Sequence, residues 1–151
     1  MSFDIYNKQL LRLAASVPHI GSLDQPDISV TEHNRLCGSW IAVDLKLDQG
    51  VIVAFAQRME ACLIGQAAAS IVGRTILGLT RADIHAGADA LRLLLRERQV
   101  PACEPWSALE PLLPVAEVPG RHGSALLPFH ALEQALLAVE ADDGVISAPD
   151  P

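Results

Sequence analysis

Apolar and polar residues alternate most regularly over residues 40–47, the period of a half-buried antiparallel strand. The apolar set is Ile41, Val43, Leu45 and Leu47, and the residues between them are Ala42, Asp44 and Lys46. A turn at 48–50 reverses the chain, and the apolar run 51–55 returns along the first strand. We therefore predict a β-hairpin here, with residues 28–31 as a short third strand.

Helical spacing of apolar residues marks the rest of the chain. The predicted helices lie near residues 5–14, 62–78, 84–95 and 127–139. Thr80-Arg81-Ala82-Asp83 has the pattern of a capping box and opens the third of them. The proline-rich residues 101–120 predict a loop with one turn of helix, and Pro128 is tolerated only near the first turn of the last helix.

These elements predict an α+β fold: one helix, a small three-stranded antiparallel sheet, then helices packed on one face of it. The 151 residues fit a single domain, which we expect to span residues 1–140. The remaining segment, 141–151, is acidic and carries proline, so we expect a disordered tail.

Charge and composition exclude several classes of function. A formal net charge of −7 and the lack of a basic cluster argue against nucleic acid as a partner. No apolar run is long enough to span a membrane, and the first residues do not resemble a signal peptide. Three cysteines, an odd number, make a disulfide framework a poor interpretation. We expect a cytoplasmic protein whose thiols stay reduced.

Two cysteines flank the predicted hairpin and are the main candidates for chemistry. Cys37 precedes Gly38 in a loop just before the first strand of the hairpin, and Cys62 stands where the hairpin gives way to a helix. A helix N-terminus stabilises a thiolate, although a buried cysteine also serves as a small hydrophobe. Because the outer ends of a hairpin meet, we expect the two thiols to be neighbours that serve metal or sulfur chemistry.

Other candidates have weaker support. His122 lies between glycines just before the last helix and would complete a metal site with its imidazole, or else is a solvated loop residue. Cys103, in the proline-rich loop, is interpreted as incidental. Asp44 and Lys46 are most simply a solvated strand face. Ser70 and Ser124 have no histidine and acid that could be paired with them, and no phosphate-binding glycine loop is present, so a hydrolase or phosphate-binding enzyme has no support.

With these residues assembled, residues 3–138 resemble the NifU/IscU/SufU family of iron–sulfur cluster assembly scaffolds, and the SufU type most. The matching segments are Val17-Pro18-His19-Ile20-Gly21, Leu36-Cys37-Gly38-Ser39, Leu45-Lys46-Leu47-Asp48-Gln49-Gly50-Val51-Ile52, Cys62-Leu63-Ile64-Gly65-Gln66-Ala67-Ala68-Ala69-Ser70 and Ser124-Ala125-Leu126-Leu127-Pro128-Phe129-His130-Ala131-Leu132-Glu133. The family holds its metal with three cysteines and an aspartate. Here two of the cysteines remain, Ser39 replaces the aspartate, and either Gly123 or Ser124 replaces the third cysteine.

The resemblance implies a role in iron–sulfur cluster assembly, as a scaffold or a carrier of sulfur or clusters rather than as an enzyme. Cys37 and Cys62 would be thiolate ligands or persulfide acceptors, with His122 as a third metal ligand. The implied cargo is a transient iron–sulfur cluster, or zinc is bound instead. The implied partners are a cysteine desulfurase and apo iron–sulfur proteins, and two copies of the chain could share one cluster. The alternatives are a zinc-binding sulfur acceptor and a metal-free binding module that keeps only the fold.

Overall fold

The computed structural model describes the backbone of residues 7–147 and the side chains of residues 7–139. The elements in chain order are α1 (Lys8–Ala15), β1 (Ile28–Asn34), β2 (Ser39–Asp48), β3 (Val51–Glu60), α2 (Leu63–Thr75), α3 (Arg81–Glu97), two 3-10 segments (Trp106–Glu117 and Pro119–Arg121) and α4 (His122–Ser147). The predicted α+β class is confirmed. Among the described residues, no helix has both the length and the apolar character needed to cross a membrane.

The three strands form one antiparallel sheet in the order β1-β2-β3. Trp40 pairs with Glu60 at one end of the hairpin, and Asp48 pairs with Val51 at the other, with a bulge between Lys46 and Leu47. β1 and β3 both run further than the predicted 28–31 and 51–55. The polar end of β3 lacks a clear alternation, but it pairs with the first half of β2, which supplies the missing hydrogen bonds.

The helices pack on one face of the sheet and enclose the core. α4 contacts β1, β2, α2 and α3. Ile41, Val43, Leu45 and Phe55 point from the sheet into this core, where Leu10, Ile64, Ile84 and Phe129 meet them. The core is therefore made almost entirely of aliphatic side chains, as the 4% aromatic content requires.

The opposite face of the sheet carries a buried ion pair, which corrects the prediction for Asp44. This side chain is not solvated: Asp44 is only 2% exposed and forms a double contact of 3.1 Å with Arg58. Leu23 N–H also donates to Asp44, at 3.0 Å, and Gly21 C=O accepts from Arg58. The connection after α1 therefore lies over Asp44 and shields its carboxylate from water.

The capping box of α3 is confirmed: the Thr80 hydroxyl accepts from Asp83 N–H, and the Asp83 carboxylate accepts from Thr80 N–H. Residues 101–120 are more ordered than a loop, since a 3-10 segment covers Trp106–Glu117. Its Trp106 indole N–H donates to Asp83 C=O at 2.9 Å, and its ring stands edge-on to Phe129. These contacts attach the proline-rich segment to α3 and α4.

α4 begins at His122, earlier than the predicted 127, and Pro128 lies well inside it. Pro128 therefore lies in the second turn of α4, next to the first turn near which it was expected. Proline has no N–H, so Pro128 cannot donate the helical hydrogen bond to Ser124 C=O. At the other end, α4 runs to Ser147, into the segment predicted to be an acidic tail. Residues 148–151 of that tail lie outside the described residues.

Candidate functional site

Cys37 lies at the tip of the tight connection between β1 and β2. Asn34 closes this turn, because its C=O accepts from Gly38 N–H at 2.9 Å and its side-chain oxygen accepts from Leu36 N–H at 3.0 Å. Gly38 takes a φ of +76°, a conformation that favours glycine. The turn leaves Cys37 exposed and reduced, with Leu36 beside it 87% exposed.

Two buried serine hydroxyl groups contact the Cys37 sulfur. Ser39 Oγ lies 2.9 Å from Cys37 Sγ, and Ser124 Oγ lies 3.6 Å from it. Ser39 begins β2, and Ser124 lies in the first turn of α4, 87 residues after Cys37. Ser39 is 6% exposed and Ser124 is 1% exposed. We call Cys37, Ser39 and Ser124 the Cys37 pocket.

The Cys37 pocket favours the thiolate. The hydrogen bond from the Ser39 hydroxyl has the largest effect and lowers the pKa of Cys37 below that of an ordinary cysteine. Partial burial opposes this, while the Ser124 hydroxyl, the Ser39 backbone N–H and the positive charge of Arg121 lower the pKa further. Because the thiolate is the reactive form of cysteine, Cys37 is set up as a nucleophile or a ligand.

Cys62 is the N-cap of α2, at the same end of the sheet. Its own side chain makes no capping hydrogen bond, and it is half-buried. Trp40 pairs with Glu60, so the chain leaves β3 beside the start of β2. Ser124 C=O lies 3.5 Å from the place that a Cβ on Gly65 would occupy, so the first turn of α2 borders Ser124. The Cys37 pocket and the helix start that carries Cys62 therefore meet at Ser124.

His122 is directed elsewhere. Its Nε2 lies 3.1 Å from Val115 C=O and 3.4 Å from Ala116 C=O, in the 3-10 segment that precedes α4. No group of three or more His, Cys, Asp or Glu side chains within the described part of the chain is placed to hold a metal ion. The predicted set of Cys37, Cys62 and His122 is therefore not assembled as a three-ligand site in this structure.

Of the remaining candidates, Ser124 contributes a side chain to the Cys37 pocket, and Cys103 and Gly123 do not. Cys103 is an exposed free thiol in the segment before Trp106. Gly123 faces Asn34, since a Cβ there would lie 3.1 Å from the Asn34 side-chain nitrogen. Ser124, rather than Gly123, thus contributes a side chain to the pocket. Sequence reasoning identified Ser39 and Ser124 only as lost ligands. Ser39 could have been recognised as a neighbour of the Cys37 sulfur from its position two residues after Cys37, at the start of a strand.

No protein-family model matches the chain. The solved structure of the N-terminal part of a nitrogen-fixing NifU-like protein from Brucella abortus is 37% identical in sequence to this chain. The match covers 91% of this chain and 95% of the Brucella chain, with a TM-score of 0.85. The chain belongs to the NifU/IscU/SufU family. The predicted resemblance is confirmed.

Two further comparisons agree with this assignment, one in sequence and one in fold. The iron–sulfur cluster assembly scaffold protein IscU of Streptococcus pyogenes serotype M1 is 28% identical over 118 residues, which are 78% of this chain and 74% of that protein. The crystal structure described as an iron–sulfur cluster assembly scaffold protein for the SUF system of Fervidobacterium islandicum AW-1 has a TM-score of 0.80 over 87% of this chain and 96% of its own. At 20% identity, that structure supports the fold alone.

Proposed function

We propose that this NifU/IscU/SufU-family protein acts in iron–sulfur cluster assembly, as a scaffold or as a carrier of sulfur or clusters. One observation carries the proposal: the Cys37 thiol is exposed, is stabilised as a thiolate, and shares one end of the sheet with Cys62. The relative named as the iron–sulfur cluster assembly scaffold protein IscU supports it. Cys37 and Cys62 are the proposed cluster ligands or persulfide acceptors.

The ligand set limits how a cluster would be held. Iron–sulfur clusters are bound mainly through four cysteine thiolates, and a neutral serine hydroxyl is a weak ligand for iron. Cys37 and Cys62 supply two thiolates, so a cluster on this chain needs further ligands from a second copy or from a partner. A cluster held in this way is bound loosely and is easily transferred, which suits cargo rather than a resident cofactor.

The partners follow from the same chemistry. A cysteine desulfurase is the proposed sulfur donor, and apo iron–sulfur proteins are the proposed acceptors, all in the cytoplasm. Leu36 supports a docking event at the site, since a side chain 87% exposed beside a reactive thiol offers an apolar anchor to an incoming protein. Shared use of Cys37 and Cys62 would also favour a homo-oligomer in the loaded state.

Two alternatives differ from this proposal in the metal they would hold. A zinc-binding sulfur acceptor would use Cys37 and Cys62 with His122 and an open fourth position, and it requires His122 to leave its carbonyl partners. A metal-free binding module would keep only the fold. Metal analysis of freshly purified protein separates them: zinc in stoichiometric amount favours the first, iron with labile sulfide favours the scaffold, and neither metal leaves the module and a metal-free sulfur carrier.

The decisive test is reconstitution with iron and a sulfur source. We expect the parent to develop iron–sulfur absorbance, and Cys37→Ala and Cys62→Ala each to abolish it. Cys103→Ala is the matched control, because it removes an exposed thiol outside the site and leaves the absorbance unchanged. Equal absorbance in the parent and all three variants would mean that the iron is adventitious and would refute the proposal.

A further inference from the structure

Ser39 and Ser124 are unusual among the buried polar residues of this protein. Each is almost completely buried, and the hydrogen bond that each hydroxyl makes among the described residues is with Cys37 Sγ. Burying a hydroxyl without a hydrogen-bond partner is costly. Among the described residues, the contact with the Cys37 sulfur is what offsets this cost for both serines. Cys37 itself remains open to solvent on its other side.

The distance between Ser39 and Cys37 suits a hydrogen bond to a sulfur anion better than shared binding of a metal ion. Two ligands of one tetrahedral zinc, bound at about 2.0–2.3 Å, stand roughly 3.3–3.8 Å apart. Ser39 Oγ lies only 2.9 Å from Cys37 Sγ, a hydrogen-bond distance below this range, whereas Ser124 Oγ at 3.6 Å lies within it. Hydroxyl groups that donate to an anion give short, strong hydrogen bonds.

We propose that Ser39 and Ser124 are positioning residues for sulfur transfer, and that their hydroxyls hold the Cys37 sulfur for reaction without any bound metal. The proposal rests on the sulfur-carrier branch of the proposed function. It assigns the two serines a role in the reaction. The sequence resemblance identified them only as residues that stand where the family has metal ligands. The ligand class is sulfane sulfur, carried as a persulfide.

Sulfur reaches Cys37 by exchange with a donor persulfide. The Cys37 thiolate attacks the outer sulfur of a donor persulfide, R–S–SH, and a new S–S bond forms to Cys37 Sγ. The S–S bond of the donor breaks, its electron pair leaves on R–S⁻, and the proton stays on the transferred sulfur. Sulfane sulfur moves without a net change in oxidation state, so no oxidant is needed. Ser39 and Ser124 donate to Cys37 Sγ throughout and orient it toward the donor.

The surroundings of Cys62 differ from those of Cys37, and the difference predicts which thiol accepts sulfur first. It is half-buried, and its side chain makes no capping hydrogen bond at the start of α2. Within residues 7–139, no buried hydroxyl is placed against it as Ser39 and Ser124 are against Cys37. Sulfur should therefore load first on Cys37.

The test uses full-length protein freed of metal with a chelator and mixed with cysteine persulfide. Mass spectrometry of the Cys37 peptide follows the gain of one sulfur atom with time. We expect the parent to load without metal, and Ser39→Ala and Ser124→Ala each to slow loading by about tenfold, the loss of one hydrogen bond to a charged group. Ser39→Thr keeps a hydroxyl on a strand residue and should restore most of the rate.

Ser70→Ala is the matched control. Ser70 is also a fully buried serine, but its hydroxyl contacts Ser16 C=O and Arg74, away from Cys37. It should load like the parent. A purely structural role for Ser39 and Ser124 would lower thermal stability in their alanine variants and leave the loading rate of the folded protein unchanged, which would overturn the proposal.

Other outcomes separate this proposal from the function above. Loading that requires added zinc or iron, or no loading of the parent at all, overturns the role of the serines while cluster reconstitution still supports a scaffold. Metal-free loading of Cys37 that depends on both serines supports the positioning role, even if reconstitution fails and refutes cluster assembly on this chain.

Discussion

Asp44 on β2 and Cys37 in the turn just before β2 both accept hydrogen bonds from nearby donors, but with different consequences. The Asp44 network consists of Asp44, Ser29, Arg58 and the Leu23 N–H. Each carboxylate oxygen has two donors: Ser29 at 2.7 Å and Arg58 at 3.1 Å on one, and Leu23 at 3.0 Å and Arg58 at 3.1 Å on the other. The Cys37 pocket also places two hydroxyl groups against one acidic atom, but it leaves that sulfur exposed.

The difference between them is access for a reactant. Burial alone would raise the pKa of Asp44, but Arg58, Ser29 and Leu23 outweigh it and lower the pKa. That carboxylate is enclosed, so its stabilisation contributes to folding. The Cys37 thiolate is stabilised by similar donors in an open place, so its stabilisation contributes to reactivity. An anion whose donors enclose it is structural, and one whose donors leave a side open is a candidate for chemistry.

The largest effect is expected when the Asp44 network is broken. Asp44→Ala leaves Arg58 without its partner and should lower the free energy of unfolding by about 2–3 kcal/mol, at the low end for a buried pair because Arg58 is partly exposed. Urea unfolding measures this. Lys46→Ala, on the same face two residues away, should change stability by less than about 0.5 kcal/mol. Similar losses in both variants would contradict the assignment.

The pH dependence of stability sharpens the same contrast. The folded pKa of Asp44 is below its ordinary value of 3.8. Its contribution is therefore fully present above that value and is lost as the pH falls through the lower folded pKa. We expect the stability difference between the parent and Asp44→Asn to shrink below about pH 4, as measured by urea unfolding at several pH values. A difference that stays constant to pH 2 would exclude the carboxylate as its source.

The Cys37 pocket should respond in reactivity rather than in stability. In the Cys62→Ala/Cys103→Ala background, iodoacetamide reports on Cys37 alone. The midpoint of its pH–rate profile should lie below that of an ordinary thiol, and Ser39→Ala should move the midpoint upward because a donor to the thiolate is lost. Unfolding free energy should change little. An unchanged midpoint would mean that the Ser39 contact does not stabilise the thiolate.

The smallest expected effect comes from a charge near the pocket. Arg121 acts on Cys37 only through its positive charge, as the smallest of the causes that lower the pKa. Arg121→Gln should raise the alkylation midpoint by less than Ser39→Ala does. Raising the salt concentration should reduce the difference between the parent and Arg121→Gln, because salt screens exposed charges. A difference that persists in high salt would point to a structural effect.

Local patterns accounted for most of the fold. Alternation over residues 40–47 predicted β2, and the Thr80-to-Asp83 pattern predicted the start of α3, because both signals lie within one element. The end of β3 and the 3-10 segment Trp106–Glu117 were not predicted. Their residues are held by partners in other elements, such as Asp83 C=O for the Trp106 indole. The residue pattern within one segment does not show which distant residues will contact it.

The chain by itself determined which residue types were available: two cysteines flanking a hairpin, and serines where the family has an aspartate and a cysteine. Only the tertiary structure decided what they do. Docking of α4 on the sheet brings Ser124 to Cys37 across 87 residues, and it turns Gly123 to Asn34 and His122 to Val115. Neighbouring residues on a helix point in different directions, so the docking of that helix selects which side chain reaches the sulfur.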